Sequence, residues 1–117
     1  MVNSLEQGTL IYINFDLSRG SEIKKRRPAI VISRDEYALS SRLIIVCPIT
    51  SSSKDRPYFV DIQHEKLKVG NKVNTKQLYT IDYSPHGGRN VEVLGKVSKK
   101  EMINIAQHVL LNFNFGL

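Results

Sequence analysis

A chain of 117 residues has room for one hydrophobic core, so residues 1–117 are expected to form a single domain, and a composition of 41% hydrophobic and 24% charged residues excludes a disordered chain. Seventeen basic against 11 acidic residues leave a formal charge of +6, which favours nucleic acid or an acidic protein as partner and names no chemistry. One cysteine excludes an intramolecular disulfide; no apolar run approaches the roughly 18 residues needed to cross a bilayer, and Met1 to Gly8 lack a basic-then-apolar leader, so a cytoplasmic protein without membrane contact is expected.

Thr9-Leu-Ile-Tyr-Ile-Asn-Phe15 alternates, with Ile11, Ile13 and Phe15 on one face, as a half-buried strand does. Asp16 to Arg27 reads as a loop. Five of the nine residues from Arg19 to Arg27 are Lys or Arg against one acid, Glu22, which describes either a solvated loop tip or a positive field aimed at a polyanion. Pro28 ends the loop, fixes its own φ and biases Arg27 toward extended backbone, so the Arg27 guanidinium leaves a stiff strand start. Ala29 to Ser33 is apolar on both faces and suits a central strand; Arg34 to Ser41 is polar and suits a short helical turn. Arg42-Leu-Ile-Ile-Val-Cys-Pro-Ile49 is the strongest buried-strand run, in which Cys47 reads as a small buried apolar residue and Pro48 is expected to end the pairing or sit at an edge.

Thr50-Ser-Ser-Ser-Lys-Asp-Arg56 is a hydroxyl-rich turn, Pro57 to Ile62 a fourth strand, and Glu65 to Asn71 a second turn. Lys72 to Tyr83 has strand character, yet Leu78 and Ile81 lie an odd distance apart, which predicts a bulge or bend near Tyr79 or Thr80. Ser84 to Gly88 is a turn, and Asn90 to Val97 a last strand kinked at Gly95. The period then changes: Ser98-Lys-Lys-Glu101 is a capping box, and Met102, Ile105, Ala106, Val109, Leu110 and Phe113 form one face of an amphipathic helix lying on the sheet. Short strands closed by one helix predict a mainly-β fold, a small, strongly bent antiparallel β-barrel plus helix.

The phrases Gly8 to Asp16, Arg19-Gly-Ser-Glu22, Arg27-Pro-Ala-Ile-Val-Ile-Ser33, Pro48-Ile-Thr-Ser51 and Lys76-Gln-Leu-Tyr-Thr-Ile-Asp82, with the closing helix, resemble the MazF/PemK (Kid) family of toxins. The resemblance implies an SH3-like barrel of the kind shared with the gyrase poison CcdB. It also implies the activity of an mRNA interferase from a type II toxin–antitoxin system: a homodimeric endoribonuclease, needing no metal or other cofactor, that cleaves single-stranded mRNA at short motifs and is inhibited by a cognate antitoxin. On the family's pattern the catalytic arginine falls on Arg27 and its threonine partner on Thr50. Lys76 stands where the family often has an acid and Tyr83 where it has a basic residue, so the sequence cleaved is not carried over.

Metal-free RNA cleavage uses the 2′-OH as nucleophile and leaves a 2′,3′-cyclic phosphate and a 5′-hydroxyl, so a proton must be removed, charge stabilised and the leaving oxygen protonated. Arg27 suits the second task, helped by Thr50 and the backbone amides of Ser51, Ser52 and Ser53. The base is unassigned, because arginine is effectively never deprotonated in proteins. Of the histidines, His64 is the best placed, His86 reads as a turn residue and His108 falls on the polar side of the helix; Glu22 either accepts a proton or braces its loop. Arg19, Lys24, Lys25, Arg26, Lys54 and Arg56 are candidate phosphate contacts, with Ser21 and Glu22 beside them, while Tyr58, Tyr79, Tyr83 and the amide of Gln77 are candidates for unstacked bases. An acidic antitoxin segment folding along the basic groove fits the same charge. Two rival readings are a non-enzymatic toxin of the same fold gripping a protein such as gyrase, and a non-catalytic nucleic-acid-binding barrel.

Overall fold

The computed structural model describes residues 5–15, 26–68 and 70–116, so Arg19, Ser21, Glu22, Lys24 and Lys25 lie outside the described residues. The chain forms β1 (Thr9–Asn14), β2 (Arg26–Val31), α1 (Asp35–Ser40), β3 (Leu43–Thr50), β4 (Phe59–Asp61), β5 (Lys72–Asn74), β6 (Tyr79–Asp82), a single 3-10 turn (Pro85–Gly87), β7 (Glu92–Lys96) and α2 (Lys99–Leu110). All strand pairs are antiparallel, in the order β4-β5-β3-β2-β1-β7, with β6 also on β3. This is the expected mainly-β fold with a C-terminal helix, in the form of a barrel-like sheet that does not close.

The apolar runs are explained by two cores, one on each face of β1 to β3. Ile11, Ile13, Ala29, Val31, Ile44 and Val46 meet Ala38 of α1 and Ile81 of β6. Leu10, Ile30, Cys47 and Ile49, pointing the other way, meet Ile105 of α2. The half-buried reading of the first strand is therefore corrected: Leu10 is as fully buried as Ile11 and Ile13 because α2 covers its face. Burial also pushes the Cys47 thiol up to about 12, so it is an uncharged core group at neutral pH.

Pro48 neither ends β3 nor lies at an edge, and the register explains why. Ile32 N donates to Ile45 O, so hydrogen-bonded pairs between β2 and β3 fall on odd-numbered residues of β3, and Pro48, across from Ala29, directs its nitrogen away from β2. On that other side β6 pairs with Leu43 to Val46 and β5 with Ile49 and Thr50, so the proline fills the gap between two partners and no ladder bond is lost.

The expected bulge near Tyr79 or Thr80 is instead a full break into β5 and β6. Asn74 starts a turn there, accepting from Gln77 N at 3.3 Å through its carbonyl and from Lys76 N at 3.1 Å through its side chain. The bulge lies in β7: Leu10 pairs with Gly95 and Ile11 with Val93, which leaves Leu94 over, next to the expected kink. Glycine at 95 admits the His64 ring, since a Cβ there would lie 2.5 Å from Nε2.

The capping box of α2 is present, with Ser98 Oγ accepting from Glu101 N at 3.1 Å and Glu101 Oε1 accepting from Ser98 N at 3.0 Å. Ile105 is fully buried and Met102 and Val109 pack beside it, a burial worth about 2 kcal/mol for Ile105 alone. The predicted stripe stops short, however: Leu110, the last helical residue, and Phe113, past the helix end, are exposed.

Candidate functional site

The site is built where β2 begins and β3 ends. Ile13 pairs with Arg27 and Tyr12 with Pro28, and the β2–β3 register of Ala29 opposite Pro48, carried two residues on, places Arg27 across from Thr50. Both residues line one open groove of about 610 Å³, together with Ser51 and Arg26 from the sequence reading. Tyr12, Lys66, Lys68, Asn71 and Glu92 line it as well, none of them singled out from the sequence.

Adjacent arginines have opposite roles here. Arg26 is half-buried and its guanidinium is committed within the protein: Nη1 donates to Asn14 Oδ1 at 3.1 Å and Asn90 O at 3.0 Å, and Nη2 donates to Tyr12 O at 3.2 Å. It also lies 4.8 Å over the Tyr12 ring and 3.8 Å from Glu92 Oε1. Asn90 holds a left-handed φ of 49°, and its carbonyl accepts the Arg26 bond. The end of β1 is clamped to the same segment, since Asn14 N donates to Arg89 O at 2.8 Å and Arg89 Nη1 donates to Phe15 O at 2.8 Å. Arg26 thus braces the groove, with few donors left for a ligand. Arg27 has its backbone fixed in the ladder with β1 and its side chain exposed, without a hydrogen bond among the described residues.

Thr50 Oγ1 accepts from Ser52 N at 3.3 Å, which leaves the hydroxyl's own proton for an oxygen in the groove. The same bond engages one of the backbone amides counted as oxyanion donors. Ser52 Oγ accepts from Lys54 N at 3.1 Å, and Arg56 Nη1 donates to Asp55 O at 3.0 Å. Ser52, Ser53, Lys54 and Arg56 follow on the loop leaving β3 and do not line the groove.

Tyr58 and Gln77 belong to a different cluster. Thr75 N and Oγ1 both donate to Tyr58 O, Lys76 Nζ lies 5.0 Å over the Tyr58 ring, and Gln77 Oε1 accepts from Asn74 Nδ2 at 3.3 Å. Tyr79 packs edge-on against Phe15 at 5.2 Å, and Tyr83 donates to Ala38 O at 2.9 Å, a packing role on the α1 side.

None of the three histidines lines the groove. His64 Nδ1 accepts from Lys66 N at 3.2 Å with its ring against Gly95, His86 is exposed in the 3-10 turn, and His108 Nδ1 lies 2.8 Å from Asn104 O. Glu92 is the one carboxylate lining the groove among the described residues. Among those residues no group of three or more His, Cys, Asp or Glu is arranged to hold a metal, and no helix is long and apolar enough to cross a membrane.

The family of PemK-like, MazF-like toxins of type II toxin–antitoxin systems matches residues 6–113. The endoribonuclease toxin MazF of Escherichia coli (strain K12) is 36% identical over 55 residues, which is 47% of this chain and 50% of that protein, so the match spans about half of that relative's length. The endoribonuclease MazF9 of Mycobacterium tuberculosis is 29% identical over 118 residues, 94% of this chain and 97% of that protein. Among solved structures, a MazE–MazF crystal structure (Form-II) from Deinococcus radiodurans superposes with a TM-score of 0.78 at 25% identity, covering 94% of this chain and 96% of that one.

Proposed function

The chain belongs to the family of PemK-like, MazF-like toxins of type II toxin–antitoxin systems, and on that premise we propose that it is a metal-independent endoribonuclease that cuts single-stranded mRNA at a short sequence motif. The observation that carries this reading is the convergence of Arg27 and Thr50, from two different strands, on one open and otherwise cation-rich groove. A barrel that only grips protein or nucleic acid has no use for that pair.

In the reaction the 2′-hydroxyl gives up its proton to water and its oxygen bonds to the adjacent phosphorus, as the bond to the 5′-oxygen breaks and that oxygen takes a proton from water, so negative charge grows on the two nonbridging oxygens. The Arg27 guanidinium, a fork with no competing bond among the described residues, holds those oxygens more strongly as the charge grows, and the Thr50 hydroxyl donates beside it. Arg27 supplies the positive charge that a metal ion supplies elsewhere. It acts as a clamp; an efficient base is not needed for the slow turnover this implies. The protein works as a homodimer and is silenced by an acidic antitoxin segment laid along the same groove, as the charge complementarity favours.

Incubation with a long natural RNA in excess chelator tests the reading. Cuts at one short motif, with 5′-hydroxyl and 2′,3′-cyclic phosphate ends, are expected. Intact RNA despite tight binding would move the protein to a non-catalytic nucleic-acid-binding role, and intact RNA with a tight gyrase complex to the protein-gripping one.

A further inference from the structure

We propose that the loop joining β4 to β5 is a second phosphate-binding element of the groove, at which Lys66 and Lys68 hold phosphates of single-stranded RNA flanking the one cleaved; this rests on the ribonuclease reading above. The loop is built to present these two side chains. Leu67, between them, packs onto the core around Leu10, Ile30 and Ile105, so the lysines on either side start from an anchored point. The backbone is tied down at both ends: Leu67 N donates to His64 O at 2.9 Å, Lys66 N to His64 Nδ1 at 3.2 Å, and Ile62 N to Asn71 O at 3.1 Å. Asn71, nearly fully buried, returns its side-chain amide to Lys68 O. The His64 ring seats the loop against β7 at Gly95.

Charge pairing separates these lysines from three other cations near the groove or on the sheet, and their place in the groove separates them from the remaining unpaired lysines. Lys72 is shared between Asp55 and Asp61, Lys96 pairs with Glu6 at 2.9 Å, and Arg26 has Glu92. Lys66 and Lys68 are exposed and form no ion pair among the described residues, as is true of Arg27. Three uncompensated cations from two elements therefore line one groove. A strand whose cleaved phosphate sits at Arg27 brings neighbouring phosphates past the loop, where ammonium groups act as point charges that position the backbone without reading bases.

The test uses the full chain with Lys66→Ala, Lys68→Ala, the double variant, and Lys99→Ala as a control on the first turn of α2. The probe is a labelled, mixed-sequence 2′-O-methyl RNA, which cannot be cleaved, titrated between about 50 and 200 mM salt. Each single change is expected to reduce the slope of log affinity against log salt by about 0.7 and the double by about 1.4, with the control unchanged. On natural RNA below saturation, cleavage should fall in step with the lost affinity, at the same cut sites. An unchanged slope in the double variant, a shift of cut site, or intact RNA binding with lost binding of an acidic antitoxin would each overturn the assignment. Because the probe is uncleavable, the slope decides this question even if the wild type leaves natural RNA uncut, an outcome that would sink the ribonuclease reading alone.

Discussion

Arg27→Ala is expected to lower the single-turnover rate of RNA cleavage by about 10²- to 10³-fold, the usual cost of removing one donor aimed at transition-state charge. Affinity for uncleaved RNA should fall less than about tenfold, because one phosphate contact of several is lost. The split arises from placement: the Arg27 backbone is held in the ladder with β1, the residue is exposed and lines the groove, and its guanidinium has no other bond among the described residues. Arg27→Lys keeps the charge and loses the two-pronged geometry, so it should recover only a small part of the rate. Thr50→Val removes one hydroxyl at nearly constant volume and should cost about 10- to 100-fold, as for a hydrogen bond to a charged group. Arg27→Ala at a rate within about threefold of wild type would remove this residue from the chemistry.

Arg26→Ala should act on the framework instead. It strips the partner from Asn14 Oδ1, Tyr12 O and Asn90 O at once, in a half-buried setting, a loss of about 2–3 kcal/mol. For a chain of this size that is a fall in Tm of about 10 °C. Cleavage should fall too, because the β1 end and the start of β2 lose their clamp. The salt slope of RNA binding should not change, in contrast to the lysine variants, because the guanidinium faces protein carbonyls. A normal Tm together with a slope reduced by about 0.7 would show that Arg26 contacts phosphate and is not a brace.

The sequence and the fold agree most closely where local chemistry decides. The capping box at Ser98, the apolar runs of β2 and β3 and the turn before β7 all depend on neighbours a few residues away. The place of Pro48 depends on two distant partners, β5 and β6, meeting on one side of β3, which the sequence around it does not encode. Leu78 and Ile81 gave a true sign of irregularity, but a full turn at Asn74 to Gln77 produces the same spacing as a bulge.

At the site, the sequence marks Arg27 and Thr50 through family resemblance, and the β2–β3 register sets them opposite one another. Arg26 and Arg27 carry the same guanidinium, and although Pro28 marks Arg27 in the sequence, the bonds that commit Arg26 run to the distant Asn14, Asn90 and Glu92, which no local pattern places beside it. Lys66, Lys68 and Glu92 carry no local mark either. Their approach to the groove depends on Leu67 reaching the core and on β7 pairing with β1, which no local pattern encodes.

The most direct test of the central claim, that the groove holds a phosphate while the RNA's own 2′-OH attacks it, is single-turnover cleavage of two oligonucleotides that differ only by 2′-deoxy substitution at the mapped cut. The deoxy strand should bind as tightly as the all-ribose strand and stay uncut. Equal cleavage of both would mean that another nucleophile is used and that the roles given to Arg27 and Thr50 are mistaken.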